Sequence, residues 1–487
     1  MKKFIFTCIG LWLVFQLQSQ TYYFSNLYSF TTQNRLDRAV TIIKDGNFYI
    51  SCGSSALSES KSRLGIIKTD ISGNLVLRKT FADNIGSFNP TAPRSFLKLQ
   101  DGGYLSIGEY EKQYRTFGYV MKFNADLDSL WTRIYGEDLL YTIRTGIKTN
   151  DGGLMLLGDR REEGHKAIVL LKTDMMGNQQ WYKEISLPSY ESSYSSSIDI
   201  SPDGGYYIGG HHTYPAPPVF STVTKADEFG NQVWNKSFYF NEYVGTHTAV
   251  KTLPDSGVMM ATATTKFFIC RISKNGSVIW QKEFGSFQNY RSVSDLILLE
   301  DGNFVASGQG HALVNNSWKR VGCLFKFSLD GDSIWYREYY KAGYTWHELF
   351  GLAETEDNGL IGAGYAEILL PENADAWLLK VNSLGCESPS FCWVGVQEPQ
   401  PEAGSETGDA LIRIAPNPAK ESTVLNWKGE ALKLEVYSAD GREVYVTNLK
   451  PSQKEIRLNV NHWPPGLYLV RVVLKSGSVI AGKFLKE

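Results

Sequence analysis

The chain has 487 residues, with 49 basic and 51 acidic side chains and a formal net charge of −2. This near-neutral balance excludes a general charge bias towards nucleic acid or an acidic membrane surface. Aromatic residues make up 13% of the chain and glycine (45) outnumbers proline (17). That mixture suits many short strands joined by tight turns and argues against disorder.

The first stretch, residues 1–19, has the pattern of a secretory signal peptide. Lys2 and Lys3 supply the positive start, residues 4–15 the apolar run and residues 16–19 a polar cleavage region. Because the apolar run is too short to cross a membrane, we expect a removable leader and no transmembrane segment. The alternative is a buried N-terminal strand.

One phrase then recurs seven times at a period of roughly fifty residues, which is typical of a repeat architecture. Its first half opens on an Asp-Gly turn, at Asp45, Asp101, Asp151, Asp203, Asp255, Asp301 and Asp357. Its second half opens on a basic residue, at Lys68, Lys122, Lys172, Lys225, Arg271, Lys326 and Lys380. Five residues later comes Gly, except for Leu127 in the second copy. Nine residues after the basic position come Trp131, Trp181, Trp234, Trp280 and Trp335, with Leu77 and Pro389 in the first and last copies.

Each copy contains four strand-like stretches, which in the third copy are residues 145–149, 154–157, 167–172 and 180–185. Glycine accepts the positive φ of the Asp-Gly turn between the first two stretches. The loop between the second and third stretches varies most in length. Four antiparallel strands with two constant turns predict a propeller blade, so seven copies predict an all-β fold with a seven-bladed β-propeller over residues 20–394.

The ends of this repeat region are predicted to join. Pro389 is a poor continuation of a central strand, so the seventh copy lacks its own fourth strand. An unassigned strand-like stretch, residues 22–30, precedes the first copy at the distance that separates other fourth strands from the next Asp-Gly. We predict that this N-terminal strand closes the last blade, which would remove exposed sheet edges. An open solenoid is the alternative.

The recurrent side chains are predicted to be structural. Five Trp residues at one register imply one recurring pocket between neighbouring sheets. A solvent-facing row for stacking on sugars is the alternative. The recurrent basic residue is predicted to cap a blade rim, by bonding the Asp, Asn or Ser two residues further on.

Three arginines form the candidate ligand site. Arg38, Arg94 and Arg144 each stand seven residues before the Asp of the Asp-Gly turn in consecutive copies. Equivalent positions in consecutive blades lie side by side around the channel, where guanidinium groups would clamp a carboxylate, sulfate or phosphate. The later copies carry Ser196, Thr248, Ser294 and Phe350 there. The alternative is that the arginines pair with local carboxylates such as Asp37.

No motif predicts catalytic residues, a metal site or a cofactor. The sequence holds no His at zinc-protease spacing and neither a nucleophile elbow nor a Walker-type phosphate loop. The adjacent His211 and His212 would point to opposite faces of an extended segment. We therefore expect a non-catalytic binding or adhesion module for an extracellular glycan or protein ligand, with variable loops on a rigid ring. The alternative is a polysaccharide hydrolase or lyase at the channel mouth, which would show convergent carboxylates and perturbed pKa values in one deep pocket.

The cysteines divide into two groups. Cys386 and Cys392 lie close together where the last copy ends, and an oxidising export route permits a disulfide between them. Cys52, Cys270 and Cys323 fall inside strand-like apolar runs, so they are predicted to be small buried hydrophobes.

The C-terminal region begins with an acidic linker at residues 395–409, which contains Pro and Gly and no aromatic residue. Residues 410–487 then alternate apolar and polar residues in short runs separated by turn signals. This pattern predicts a small Ig-like β-sandwich.

Two resemblances carry these expectations further. The repeat phrase resembles the seven-bladed β-propeller repeat family of secreted bacterial proteins over about residues 35–393. The tail resembles the type A C-terminal sorting domain of the type IX (Por) secretion system, on Pro416, Asn417, Pro418, Gly441, Gly466, Tyr468 and Lys483. The second resemblance implies type IX machinery as a partner, passage through the periplasm, removal of the domain, and a secreted or outer-surface location. An ordinary carbohydrate-binding or adhesive sandwich is the alternative.

Overall fold

The structure is a computed structural model that describes residues 22–31, 36–56, 62–162, 165–185, 192–213, 219–240, 247–285, 291–314, 317–369, 372–388, 412–438, 443–475 and 479–486. Every regular element among those residues is a β-strand. The chain divides into two compact units, residues 1–396 and 397–487. The two units are described separately below.

The first compact unit is built from β-sheets that follow the copies of the phrase, which we number repeats 1 to 7. Repeats 7 and 1 share one eight-stranded sheet, in which a parallel pairing of Leu36 with Ala374 joins the two repeats. A short N-terminal strand precedes the repeats, β1 (Phe24–Tyr28). Repeat 1 contains β2 (Leu36–Asp45), β3 (Phe48–Ala56), β4 (Ser62–Asp70) and β5 (Leu75–Phe81). Repeat 2 contains β6 (Ser87–Asn89), β7 (Phe96–Lys98), β8 (Tyr104–Lys112), β9 (Arg115–Phe123) and β10 (Ser129–Tyr135). Repeat 3 contains β11 (Tyr141–Lys148), β12 (Leu154–Glu162), β13 (His165–Thr173) and β14 (Gln179–Ile185).

The remaining repeats follow the same order. Repeat 4 contains β15 (Ser192–Ile200), β16 (Tyr206–Thr213), β17 (Val219–Ala226) and β18 (Gln232–Tyr239). Repeat 5 contains β19 (Ala249–Thr252), β20 (Val258–Ala263), β21 (Phe267–Ile272) and β22 (Val278–Phe284). Repeat 6 contains β23 (Ser292–Leu298), β24 (Phe304–Val314), β25 (Ser317–Phe327) and β26 (Ser333–Tyr339). Repeat 7 contains β27 (Trp346–Glu354), β28 (Leu360–Leu369) and β29 (Glu372–Val381). Repeats 3 to 6 each form a four-stranded antiparallel sheet, and repeat 2 forms a five-stranded one because its first strand is divided into β6 and β7. This series of antiparallel repeats is consistent with a β-propeller.

The Asp-Gly-Gly turn needs both of its glycines. Gly152 has a φ of +81°, a conformation that side-chain-bearing residues rarely adopt. A Cβ added to Gly153 would lie 2.3 Å from the carbonyl oxygen of Thr173, so the second glycine permits close approach of the third strand. Ser256 and Asn358 replace the first glycine in repeats 5 and 7 and keep the positive φ (+63° and +57°).

The strand β1 lies beside the last repeat. It pairs antiparallel with β29, from Phe24 opposite Lys380 to Tyr28 opposite Ala376. This is the pairing that the sequence predicted for residues 22–30. Ser29 and Phe30 directly follow β1. The carboxylate of Asp37 in β2 accepts hydrogen bonds from the Phe30 amide (3.0 Å) and the Ser29 hydroxyl (2.6 Å), which fixes the end of β1 to repeat 1.

Each apolar core lies between two neighbouring repeats. One cluster joins repeats 4 and 5 and includes Tyr207, Val223, Val258 and Cys270. A comparable cluster joins repeat 7 to repeat 1, and includes Phe24, Phe30, Ile42, Ile361 and Leu378. Burying an apolar side chain contributes roughly 1.5–3 kcal/mol, so these shared clusters hold adjacent sheets together. Cys52, Cys270 and Cys323 are free thiols in such cores, as predicted.

The recurrent tryptophan fits against the turn glycine of the following repeat. A Cβ added to Gly331 would lie 2.6 Å from the ring of Trp280, and one added to Gly230 would lie 2.7 Å from the ring of Trp181. Trp335 is 6% exposed and donates from Nε1 to the carbonyl of Ser383 at 3.2 Å. These contacts place the tryptophans between neighbouring sheets, in agreement with the packing role predicted for them.

The contact between repeats 7 and 1 repeats this geometry with other side chains. In the contact between repeats 2 and 3, Tyr135 stands four residues after Trp131, and its hydroxyl donates to the carbonyl of the turn glycine Gly177 at 2.8 Å. Across the last contact, the hydroxyl of Tyr28 donates to the carbonyl of Gly73 at 2.6 Å. A Cβ added to Gly73 would lie 2.8 Å from the ring of Phe24, so Phe24 takes the position of the tryptophan.

Repeats 1 and 2 meet differently. Leu77 replaces the tryptophan of repeat 1, and Leu127 replaces the turn glycine of repeat 2. Leu127 keeps the positive φ (+64°) but is fully buried in the cluster against which Leu77 packs. The larger side chain in the turn therefore occupies space that the smaller one leaves.

The recurrent basic residue, on the third strand of a repeat, pairs with the Asp of the Asp-Gly turn that joins the first and second strands of the same repeat. The Nζ to carboxylate distance is 2.7 Å for Lys225 and Asp203, and 2.9 Å for Lys380 and Asp357. Equivalent ion pairs join Lys122 to Asp101, Lys172 to Asp151, Arg271 to Asp255 and Lys326 to Asp301. The predicted partner, two residues after the basic position, was wrong for these copies, since residues such as Asp174 accept hydrogen bonds from the backbone of their own turn.

The second compact unit contains two sheets around one apolar core. The first sheet has the order β30 (Ile412–Ala415), β31 (Ser422–Trp427), β34 (Glu455–Asn459). The second has the order β33 (Glu443–Asn448), β32 (Ala431–Ser438), β35 (Gly466–Leu474), β36 (Val479–Lys486). Residues from both sheets, such as Leu425 and Val470, share the core.

The predicted sorting motif contributes to this core and its edges. The side chain of Asn417 donates to the carbonyl of Lys483 (3.2 Å) and accepts from the amide of Leu485 (2.9 Å), so it joins the start of the unit to its last strand. The Ala415–Pro416 and Asn417–Pro418 peptide bonds are cis. Tyr468 is buried and donates to the carbonyl of Pro464 at 2.8 Å. Gly441 lies outside the described residues.

Candidate functional site

Among the described residues, one cavity is bordered by the first strand of every repeat, with β7 taking this place in repeat 2. Its volume is about 420 Å³. One lining residue from each repeat, in order, is Ile43, Leu97, Ile147, Asp199, Lys251, Leu298 and Glu354. Most of the wall is apolar, with a few charged groups, which is the composition of a small-molecule pocket.

Arg94 extends from repeat 2 to repeat 6 at this cavity. Its Nε lies 2.9 Å from the carboxylate of Asp295, and its Nη2 donates to the carbonyl of Leu296. Asp199 lies close enough to add to the field and is itself paired with Lys251 at 2.8 Å. Burial alone would lower the pKa of Arg94, but the charges of Asp295 and Asp199 outweigh it and raise the pKa.

Arg144 is also paired with carboxylates. Its Nε lies 2.8 Å from Asp159, which is 1% exposed, and 3.9 Å from Glu109. Burial would lower the pKa of Arg144, but these two carboxylates outweigh it and raise the pKa. Beside them, the rings of Tyr194 and His211 stack with centroids 4.8 Å apart and planes 15° apart. We call Glu109, Arg144, Asp159, Tyr194 and His211 the Arg144 site.

The imidazoles near Arg144 are held neutral. Burial, reinforced by the charge of Arg144, lowers the pKa of His211 to about 4 and that of His247 to about 4. His212 is 1% exposed and its Nδ1 lies 2.7 Å from the hydroxyl of Ser193, away from the Tyr194 ring. The adjacent His211 and His212 therefore have different surroundings, and no His, Cys, Asp or Glu cluster in the described part of the chain could hold a metal ion.

Arg38 lies at a different depth from the other two arginines. Arg144 is the bulge residue of β11, between Ile143 and Thr145, whereas Val40 is the bulge residue of β2. Val40 therefore occupies in repeat 1 the position that Arg144 occupies in repeat 3, and Arg38 stands two residues earlier. The guanidinium of Arg38 is paired with Glu367 at 2.7 Å and lies over the ring of Tyr365, 4.9 Å from its centroid.

A half-buried carboxyl group, Glu348, lies near Arg38, since Tyr365 contacts both residues. Burial raises the pKa of Glu348, although hydrogen bonds from Tyr365 (3.3 Å), Ser294 (3.3 Å) and Ser292 (3.4 Å) oppose this. Glu348, Glu367 and the other carboxylates that partner the arginines were not predicted from the sequence. The signal was present, because Glu367 interrupts an apolar strand and Asp159 and Asp295 adjoin apolar runs, and a buried charge needs a partner.

The three arginines are thus each ion-paired with a carboxylate. The partners of Arg38 and Arg94 are distant in sequence, whereas Asp159 lies on the strand next to Arg144 in the same repeat. Asp37, the predicted local alternative, accepts hydrogen bonds from residues after β1 instead. The arginines belong to separate clusters, with Arg94 at the cavity, Arg144 at the Arg144 site and Arg38 beside Glu367. The anion site stays a prediction.

The predicted disulfide involves the end of repeat 7. Cys386 is disulfide-bonded, and its predicted partner, Cys392, lies outside the described residues.

Comparison with known proteins identifies the C-terminal region. Residues 413–487 match the family model described as a secretion system C-terminal sorting domain. This match indicates export by the type IX system, so the protein is secreted or carried on the cell surface. Among the described residues, the structure contains no helix of the length and apolar character needed to span a membrane.

No curated protein matches the chain. Among solved structures, it is similar to a protein of unknown function from Bacteroides caccae, with 12% identity and a TM-score of 0.38, over 58% of this chain and 90% of that one. It is similar to the polysaccharide lyase Uly1, with 8% identity and a TM-score of 0.44, over 75% of this chain and 93% of that one. A puromycin-hydrolyzing peptidase of Mycobacterium tuberculosis gives 11% identity and a TM-score of 0.46, over 84% of this chain and 63% of that one. Likenesses this distant carry no argument about function.

Proposed function

We propose that the protein is an exported seven-bladed β-propeller that works as a non-catalytic binding or adhesion module. Its C-terminal domain, of Ig-like type, delivers it through the type IX machinery to the cell surface or the medium. An extracellular glycan or protein is its ligand. The domain limits proposed from the sequence, 20–394 for the propeller and 410–487 for the sorting domain, are retained.

The observation that carries this proposal is the cavity bordered by the first strand of every repeat. Seven repeats can share one cavity when they surround one axis, as propeller blades do. The pairing of β1 with β29 and the apolar cluster between repeats 7 and 1 support a closed ring. A closed ring is a rigid support for loops of variable length.

The proposed ligand end of the ring is where the second strand of each repeat ends. Glu109, Asp159 and His211 lie on that part of β8, β12 and β16, and Glu367 lies on that part of β28. The loops that follow these strands are the ones that vary most among the copies. We propose that Arg38 and Arg144 border the ligand site, while Arg94 forms its floor.

Repeats 2 and 6 lie on opposite sides of a seven-membered ring. The Arg94–Asp295 pair would therefore cross the channel and close it at mid-depth. Arg94 would then have a structural role in joining repeats 2 and 6, and only the exposed 24% of its side chain would be available to contact a ligand.

An array of glycans and peptides tests this function on the mature exported protein. Wild type is expected to bind a defined set of ligands, and Arg144→Ala and Arg38→Ala are expected to weaken that binding. Lys148→Ala is the matched control, since Lys148 is exposed near the other end of the same strand as Arg144. A wild-type protein that binds no glycan and no peptide would refute the proposal.

A polysaccharide hydrolase or lyase is the second candidate, and Glu348 is the observation that favours it. A carboxyl group whose pKa is raised by burial can donate a proton, and Tyr365, Ser292 and Ser294 hold Glu348 in place by hydrogen bonds. Incubation with a polysaccharide panel, with reducing ends and ultraviolet absorbance as readouts, tests this candidate. Product formation that is lost in Glu348→Gln would support an enzyme over a binding module.

A further inference from the structure

The geometry points to a neutral, polyhydroxylated glycan, without carboxylate or sulfate groups, as the ligand of the Arg144 site. This inference rests on the proposed binding function and specifies its ligand class. Three features of the site carry it: the local charge balance, the unfilled hydrogen-bonding capacity and the stacked rings.

The local charge disfavours an anion. The single positive charge of Arg144 faces two carboxylates, Asp159 at 2.8 Å and Glu109 at 3.9 Å. These three groups sum to a charge of −1, and both nearby imidazoles are neutral because burial lowers their pKa to about 4. An anionic ligand would have to displace a carboxylate from Arg144 and would be repelled by the other one.

The hydrogen-bonding capacity of the site suits hydroxyl groups. The Nε of Arg144 and the Oδ2 of Asp159 lie 2.8 Å apart and pair with each other, while 23% of the Arg144 side chain and 15% of the Glu109 side chain remain exposed to a ligand. The Nδ1 of His211 is buried and has no hydrogen-bond partner among the described residues. Leaving buried polar atoms unfilled is costly. A hydroxyl group both donates and accepts, so neighbouring hydroxyls of one sugar ring can satisfy a guanidinium, a carboxylate and an imidazole together.

The stacked rings supply an apolar face beside these polar atoms. Tyr194 and His211 lie nearly parallel, with centroids 4.8 Å apart, and both remain partly exposed. An aromatic face next to hydrogen-bonding groups matches a pyranose ring, which has apolar C–H faces and a polar edge. The site therefore offers both surfaces that a neutral sugar needs.

Calorimetric titration of the full mature protein tests the ligand class. The probes are oligosaccharides of neutral β-glucan, galactomannan and arabinoxylan, with oligogalacturonate and sulfated galactan as the charged counterparts. A neutral probe is expected to bind with a Kd that changes less than about twofold between about 0.05 and 0.5 M NaCl, because uncharged ligands are insensitive to screening. Arg144→Met and Asp159→Asn are each expected to weaken that binding by about tenfold or more.

Two further variants separate ligand contact from folding. Glu109→Gln removes one of the two carboxylates near Arg144 while keeping the shape of the side chain, so it is expected to reduce the preference for neutral over charged probes. Tyr194→Ala removes the stacked ring and is expected to weaken neutral binding, with circular dichroism showing whether the fold is kept. Lys148→Ala is the control that should bind as wild type does.

The outcomes are distinguishable. Binding of oligogalacturonate or sulfated galactan that is lost at high salt, with no binding of neutral probes, would overturn this inference and leave the proposed binding function standing. Neutral binding unaffected by Arg144→Met, Asp159→Asn and Tyr194→Ala would also overturn it. If the array detects only peptide ligands or none, the glycan is excluded.

Discussion

Replacing Lys380 by Met should destabilise the first compact unit far more than the same change at the equivalent Lys122. The Lys380 side chain is 1% exposed and its partner Asp357 is 10% exposed, with 2.9 Å between Nζ and Oδ2. Removing one member of a buried ion pair leaves the other charge without compensation, which costs about 3–5 kcal/mol. The Lys122 side chain is 14% exposed but Asp101 is 55% exposed, so water can solvate the remaining carboxylate and the loss should be about 0–1 kcal/mol.

Urea unfolding of the mature protein, followed by tryptophan fluorescence, measures both losses against wild type. The double variant Lys380→Met with Asp357→Asn should recover part of the stability, because the stranded charge is gone. Equal losses at Lys380 and Lys122, within about 0.5 kcal/mol, would refute the reasoning that burial decides the value of this repeated pair.

The effect of Lys380→Met should also depend on pH. Burial would raise the pKa of Asp357, but hydrogen bonds from Thr355 and Lys380 outweigh it and lower the pKa. The stabilisation from a carboxyl group with a lowered pKa is present above its unfolded pKa, about 3.9, and is lost as the pH falls through its folded pKa. The difference in unfolding free energy between wild type and Lys380→Met should therefore shrink when the pH falls below about 4.

Three further predictions concern other parts of the molecule. Gly331→Ala should lower stability by more than Gly302→Ala, because both glycines have positive φ (+78° and +80°) but only the added Cβ at residue 331 meets a tryptophan ring; equal urea midpoints would contradict this. Deletion of residues 22–31 should lower the Tm and expose the edge of β29, and size-exclusion chromatography should detect the resulting association of molecules. A monomer with the wild-type Tm would contradict the closure of the last repeat by β1. His211 has a pKa lowered to about 4, so its contribution to stability is full above about pH 6.5 and is lost as the pH falls towards 4. His211→Gln should reduce that loss and His462→Gln, on the exposed surface, should not.

The strand framework was predictable because it depends on short-range chemistry. The Asp-Gly turns, the alternation of apolar residues and the spacing of Trp to Gly are all local, and together they predicted the order of strands in every copy. The pairing of β1 with β29 was also predictable. Repeat 7 has no fourth strand of its own in the sequence, and the strand-like residues 22–30 belong to no copy.

Side-chain partners were much less predictable. Arg38 and Glu367 are 329 positions apart, and no local rule selects one carboxylate among many at that separation. Counting residues from the turn also failed for Arg38, because the turn of repeat 1 is shorter. Asp45 pairs directly with Phe48 across that turn, whereas Lys148 and Leu154 are the corresponding closing pair in repeat 3.

The exchange of Leu77 for tryptophan and of Leu127 for glycine has a consequence for how such a protein can evolve. At most borders the tryptophan of one repeat packs against the turn glycine of the next. Between repeats 1 and 2 the corresponding pair is Leu77 and Leu127, and neither of these residues matches the partner found at the other borders. A gene duplication that inserted a copy of repeat 2 after repeat 5 would press the side chain of Leu127 against Trp280, where neither can yield. Steric fit at the borders would therefore restrict recombination among the repeats.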